Sequence, residues 1–204
     1  MKLRIMFFSL VILFLVTGSV QADIGVWTFD ELPGGDVPGP RPAVPNGYGG
    51  LNWENMYYLD ASSLTPGETG YVAGMVSPTK VAFNGWGEPA AVSDGIFSFG
   101  GTYLTGAFNE GLNVQVDGYL DGSLIYSQTV VVSSTTPTWF NFNYYSIDRL
   151  EFSSWGGIPN PDYANHGFGT QFVMDNFTIV PVPGAVLLGI LGLSAVGVKL
   201  RKFA

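Results

Sequence analysis

The amino-acid sequence predicts an all-β fold, a β-sandwich of jelly-roll type, and three observations lead to it. Short runs rich in Val, Ile, Phe, Tyr and Trp recur along residues 23–179, bounded by Gly, Pro, Asn and Asp. One stretch, Leu112 to Val132, reads as a complete hairpin. No stretch of ten or more residues in this region shows the amphipathic period of a helix. Many short strands with turns at regular spacing argue a sandwich rather than a mixed fold.

The elements follow in chain order. Asp23 to Phe29 reads as a first strand, with Val26, Trp27 and Phe29 as β-formers. Glu31 to Gly50 is dominated by Gly and Pro and reads as a loop, unusually long for a compact domain. Tyr71 to Val76 and Lys80 to Phe83 are short strand candidates separated by Ser77-Pro78. Gly95 to Phe108 is strand-like, with a bulge or bend expected at Gly100-Gly101. In Leu112 to Asp117, apolar Leu112, Val114 and Val116 alternate with Asn113, Gln115 and Asp117, the period of a half-buried strand. Asp121-Gly122 tolerates positive φ and turns the chain into Leu124 to Val132. Trp139 to Tyr145 and Asp148 to Ser153 read as two further strands. A loop from Trp155 to Gly169 leads to a last strand, Thr170 to Val180.

Both ends are apolar and are read apart from the fold. Residues 1–22 have the form of a signal peptide: Lys2 and Arg4, an apolar run from Ile5 to Val16, and a small-x-small site before cleavage between Ala22 and Asp23. The run is shorter than the roughly 20 residues of a membrane span. The middle, 23–179, is one domain by length. Residues 23–180 contain three cations, Arg41, Lys80 and Arg149, against all 16 acids of the chain, a net of −13. Such a body repels nucleic-acid phosphates, so no nucleic-acid partner is expected. The chain has no cysteine, which excludes disulfides and thiol chemistry.

The tail, 180–204, opens Val180-Pro181-Val182-Pro183-Gly184-Ala185, continues as a Gly-rich apolar run to Val198, and ends with Lys199, Arg201 and Lys202. The prolines stop a strand. The apolar run reads as a short transmembrane helix, because glycine suits a membrane helix better than a water-soluble one. The cations after it would stay in the cytoplasm, with the body outside. This arrangement resembles the PEP-CTERM sorting signal of Gram-negative bacteria, although Val182 stands where the name-giving motif has Glu. The resemblance implies recognition and cleavage by an exosortase, transient insertion in the inner membrane, and association with exopolysaccharide. The expected location is outside the inner membrane, at the cell surface or in the extracellular matrix. A second resemblance concerns the body. Gly118-Tyr119-Leu120-Asp121-Gly122 in the central hairpin and Asp175-Asn176 in the last strand are similar to features of extracellular jelly rolls of galactose-binding-like shape.

Candidate chemistry is sparse. His166 is the only histidine, it lies in a loop-like segment, and no Gly-x-Ser-x-Gly elbow accompanies it, so no catalytic residue is assigned. Glu54, Glu88, Glu110 and Glu151 are the carboxylates considered for glycoside hydrolysis, and Glu151 beside Arg149 reads as an ion pair. The expectation is a non-enzyme. Sugar rings pack on aromatic faces while Asn and Asp bond the hydroxyls, and two segments offer that mixture. They give Trp53, Asn55, Tyr57, Asn84 and Trp86 as ligand-binding candidates, with extracellular polysaccharide as the partner. No motif requires a cofactor. One structural Ca²⁺ is considered, on Asp30 and Glu31 after the first strand and Asp175 in the last, since first and last strands often neighbour in jelly rolls. The competing functions are a structural matrix component with no small ligand and a glycan-modifying enzyme.

Overall fold

The computed structural model describes residues 24–180. The Ala22-Asp23 cleavage site lies outside the described residues, as do Pro181, Val182, Pro183, Gly184, Ala185, Lys199, Arg201, Lys202 and the expected transmembrane helix. No helix among the described residues is long and apolar enough to cross a membrane.

The first strands are β1 (Gly25–Trp27), β2 (Asn52–Glu54), β3 (Met56–Asp60), β4 (Lys80–Asn84) and β5 (Ala90–Gly106). The central ones are β6 (Asn109–Glu110), β7 (Leu112–Leu120) and β8 (Ser123–Val132). The last are β9 (Thr138–Trp155), β10 (Ile158–Pro159) and β11 (Phe172–Ile179). Every pairing is antiparallel.

Two long bent strands divide this sheet into two facing layers. The start of β5, Ala90 to Ser93, lies between β2 and the end of β9; that end of β9 also pairs with β7, and β7 pairs with β8. The remainder of β5 pairs with the start of β9 on one side and β11 on the other, and β11 leads through β4 to β3. In β5 the register breaks between Ser93 and Phe97, where Asp94 and Gly95 both have positive φ. In β9 the break falls at Ser146, with φ 56°. The two strands expected over 139–153 are therefore one strand with a corner. The bulge expected at Gly100-Gly101 is present as a register shift between Phe99 and Gly101. A Cβ on Gly101 would lie 2.3 Å from the Phe140 carbonyl oxygen, so the close approach there requires glycine.

Aromatic side chains fill the space between the layers. Trp53 of β2 meets Phe177 of β11 edge-on at 5.2 Å, and Phe152 of β9 lies 5.5 Å from Phe172 and 6.2 Å from Phe99. Leu112, Val114 and Val116 are fully buried, as their alternation predicts. Each such side chain stabilises the fold by about 1.5–3 kcal/mol. The hairpin turn holds Asp121 at φ 50° and Gly122 at φ 73°, the two positive values of a type I′ turn. The first and last strands do neighbour, with Trp27 paired to Phe177.

One strand expectation is corrected. Tyr71 to Val76 is not extended: Gly70–Ala73 forms a single helical turn, α1, closed by the Gly74 amide on the Gly70 carbonyl at 2.8 Å. Gly70 sits against the Gly106 carbonyl, where any Cβ would clash, and this docks the segment across the sheet instead of into it. The 31–50 loop lacks a full strand as expected. Its Pro42 to Val44 portion bonds to Met56 and Tyr58 and covers the outer edge of β3.

Candidate functional site

Alternation along the outer layer creates a second apolar cluster. Met56, Tyr58, Ala82, Phe172 and Met174 point into the sandwich, whereas Leu59, Val81, Phe83 and Val173 point to its outer face. The segment carrying α1 covers part of that face. Tyr71 packs edge-on against Phe83 at 5.2 Å and against Phe108 at 5.7 Å. Beside this cover the face stays open as a cleft of about 560 Å³, within the range of small-ligand sites.

The cleft combines an aromatic floor with scattered polar groups. Tyr57, Tyr71, Phe83 and Phe108 contribute the floor. Trp86 stands at one side, 76% exposed, with its ring edge-on to Tyr57 at 5.4 Å. Phe168, 87% exposed, lines the cleft as well. The polar lining includes Arg41, Glu68, Thr69, His166 and Gln171. His166 Nδ1 lies 3.4 Å from Glu68 Oε2. Thr69 Oγ1 and Gln171 Oε1 are buried and have no hydrogen-bond partner among the described residues. Such atoms are costly unless a water or a ligand satisfies them. Burial pushes the Tyr71 phenol up, so it keeps its proton throughout the physiological range.

The chain builds the exposed indole deliberately. Trp86 has φ 54°, a left-handed conformation that is costly for a bulky side chain. Gly85 precedes it because a Cβ there would meet the Asn55 side chain at 2.4 Å and the Tyr57 ring at 2.6 Å. Asn55 Nδ2 donates to the carbonyls of Gly85, Glu88 and Pro89. Asn84 Nδ2 donates to the Glu88 carbonyl at 2.9 Å, and Asn84 Oδ1 accepts from the Phe172 amide at 2.8 Å.

Of the five expected ligand contacts, the fold brings Tyr57 and Trp86 together on the cleft. Trp53 is corrected to a core residue: it is 5% exposed, surrounded by Phe29, Tyr48 and Phe177, and its indole N–H donates to the Tyr48 carbonyl. Asn84 is corrected as well, being fully buried and fully bonded. Asn55 clamps the Trp86 loop instead of lining the cleft. Sequence reasoning missed Arg41, Phe168 and Gln171. Gly167-Phe168-Gly169 repeats the Gly-aromatic-Gly form of Gly85-Trp86-Gly87, and that was the available signal.

Of the four candidate carboxylates, three are engaged elsewhere, and Glu88 is exposed outside the cleft lining. Arg149 reaches both Glu54 oxygens at 2.9 and 3.0 Å and Glu151 at 2.6 Å, and this hydrogen bonding holds the Glu54 carboxyl below its usual range. Glu110 accepts from the Ser134 amide at 2.7 Å. Asp30, Glu31 and Asp175 do not fit a Ca²⁺ site. Among the described residues no group of three or more acids or histidines is placed to hold a metal. Asp175 accepts from the amides of Val76, Ser77 and Asn176 and from the Ser77 hydroxyl, so a cation there would meet hydrogens rather than oxygens. Asp30 accepts from the amides of Thr79 and Lys80, and Glu31 accepts from the Tyr48 hydroxyl.

Fold and site together define an antiparallel β-sandwich with an aromatic-floored cleft on one outer face. No family model matches the chain, and no curated protein matches it. Among solved structures the chain is similar to TmCBM61 in complex with beta-1,4-galactotriose, at 12% identity and a TM-score of 0.36, covering 76% of this chain and 98% of that one. A likeness at that score does not bear on function.

Proposed function

We propose that this chain is an exported, exosortase-sorted surface or matrix protein of jelly-roll type, whose cleft binds extracellular polysaccharide without turning it over. The observation that supports binding most is Trp86. An indole held outward in a left-handed conformation, on a cleft whose lining mixes aromatic rings with polar side chains, serves a ligand with both C–H faces and hydroxyls. A sugar ring has both. Glu68 is the one carboxylate of the cleft lining, whereas glycoside hydrolysis employs a pair. The sorting part of the proposal rests on the Val-Pro-Val-Pro-Gly-Ala tail. Its first residue, Val180, still bonds the sheet through its amide to the Ser98 carbonyl at 2.9 Å, so β11 ends where the motif begins.

The test is a polysaccharide panel, including the producer's own, with the wild-type chain and Trp86→Ala. At least a tenfold loss of affinity is expected for the variant, about 1.4 kcal/mol, with an unchanged thermal midpoint. Equal affinity for both proteins contradicts the proposal.

One observation favours a purely structural matrix role. β8 is an outer strand of ten residues with no charge and no proline, the opposite of a protected edge. Self-association without affinity for any polysaccharide would support that reading.

A further inference from the structure

The described residues contain three cations, and their surroundings separate them. Arg149 is engaged by Glu54 and Glu151. Lys80 has no carboxylate partner either, but it lies outside the cleft lining and donates through Nζ to the Asp30 carbonyl at 3.0 Å. Arg41, among the described residues, pairs with no carboxylate. Its one hydrogen bond runs from Nη1 to the Gly39 carbonyl at 3.0 Å, which leaves most of the five donors of a guanidinium free. Arg41 lines the cleft.

This placement is not accidental slack. Pro40 and Pro42 flank Arg41 and stiffen the backbone, and the Tyr58 amide fastens the Pro42 carbonyl at 3.0 Å. The one carboxylate in the lining is Glu68, whose Oε2 lies 3.4 Å from His166 Nδ1. In a body of net −13, acids are abundant, yet Arg41 stands in the cleft lining without a carboxylate partner among the described residues.

Building on the polysaccharide reading of the cleft, we infer that its ligand is an anionic polysaccharide bearing uronate carboxylates, with Arg41 as the carboxylate anchor. A planar guanidinium fork matches a carboxylate in two parallel hydrogen bonds, a geometry that a neutral sugar cannot use. Trp86 takes the ring face. The acidic body repels a polyanion at long range, but exposed charges beyond about 8 Å are screened at physiological salt. The local contact therefore decides.

The experiment compares matched polymers. The full chain, in mild detergent, is titrated with polygalacturonate, alginate and hyaluronan, and with each polymer after its carboxyls are reduced to alcohols. At least one native polymer should bind at least about tenfold more tightly than its reduced form. Arg41→Ala and Arg41→Gln should bring the native polymer to the affinity of the reduced one and leave the reduced one unchanged. Arg41→Lys, a point charge, should restore part of the difference. Thermal midpoints check that the variants fold. Equal binding of native and reduced polymers, or an Arg41→Ala loss shared by both, overturns the uronate inference and leaves the polysaccharide reading standing. Binding confined to neutral polysaccharides and lost in Trp86→Ala does the same. No binding to any polysaccharide overturns both.

Discussion

The molecule has two aromatic clusters on opposite faces of one layer, built from the same residue types with different closure. Between the layers, Trp53, Phe99, Phe152 and Phe177 meet other rings on more than one side. On the outer face, Phe108, Tyr71, Phe83 and Tyr57 form a chain of ring contacts, three edge-on and the Tyr57–Phe83 one tilted, that ends in exposed Trp86. Closure separates the two. Facing sheets seal the inner cluster, whereas a single helical turn and two loops cover the outer one incompletely. A tryptophan is therefore a structural element in one place and a ligand platform in the other, a distinction that residue type alone does not make.

Truncation should separate these roles most clearly in the inner cluster. Trp53→Ala leaves a cavity among Phe29, Tyr48 and Phe177 and is expected to cost about 3–5 kcal/mol of stability by denaturant unfolding. A cost below about 1 kcal/mol would mean that the inner cluster is not closed.

A smaller effect is expected at the hinge between the clusters. Asn55→Ala removes three hydrogen bonds that hold the Trp86 loop and places alanine at φ 52°, at an expected cost of about 1–3 kcal/mol. Asn55→Gly relieves the backbone but not the clamp. It should still weaken polysaccharide binding while recovering part of the stability, as calorimetric titration and thermal unfolding would show together.

The smallest effect concerns charge outside both clusters. For Glu110, burial raises the carboxyl, but donors from Ser134 and Ser133 outweigh it and hold it below its usual range. Arg149 does the same for Glu54. Groups lowered in the folded state stabilise it above their unfolded value of about 4.3, and that contribution is lost as pH falls through the lower folded value. Asp175 runs the other way: burial raises it, so its contribution is present at low pH and lost as pH rises through its folded value. Thermal midpoints should therefore decline below about pH 4, and Glu110→Gln should flatten the decline. An unchanged slope in that variant would contradict the assignment to Glu110.

The hairpin 112–132 was legible because both of its determinants are local: alternation along β7 and two positive-φ residues at the turn. The corner in β9 was not legible. Ser146 adopts positive φ because β5 bends opposite it, and the Ser98 hydroxyl accepts from its amide at 3.1 Å. Such a contact across 48 residues leaves no local signature. The helical turn at Tyr71 escaped for the same reason, since the Gly106 carbonyl dictates it from another strand. At the site, Trp86 announced itself through its flanking glycines. Asn84 and Trp53 carried the same composition signal but lie where strand pairing buries them. Arg41 was visible as one of three cations, yet its place in the cleft lining became apparent only in the fold.

Shielding of Trp86 is the most direct measurement. Acrylamide quenching of tryptophan fluorescence, recorded with and without saturating polysaccharide, reads the accessibility of an indole that is 76% exposed in the free protein. Bound polysaccharide should protect a quenchable component that Trp86→Phe abolishes. Saturable binding that leaves that component fully quenchable would place the ligand away from the cleft and contradict the assignment.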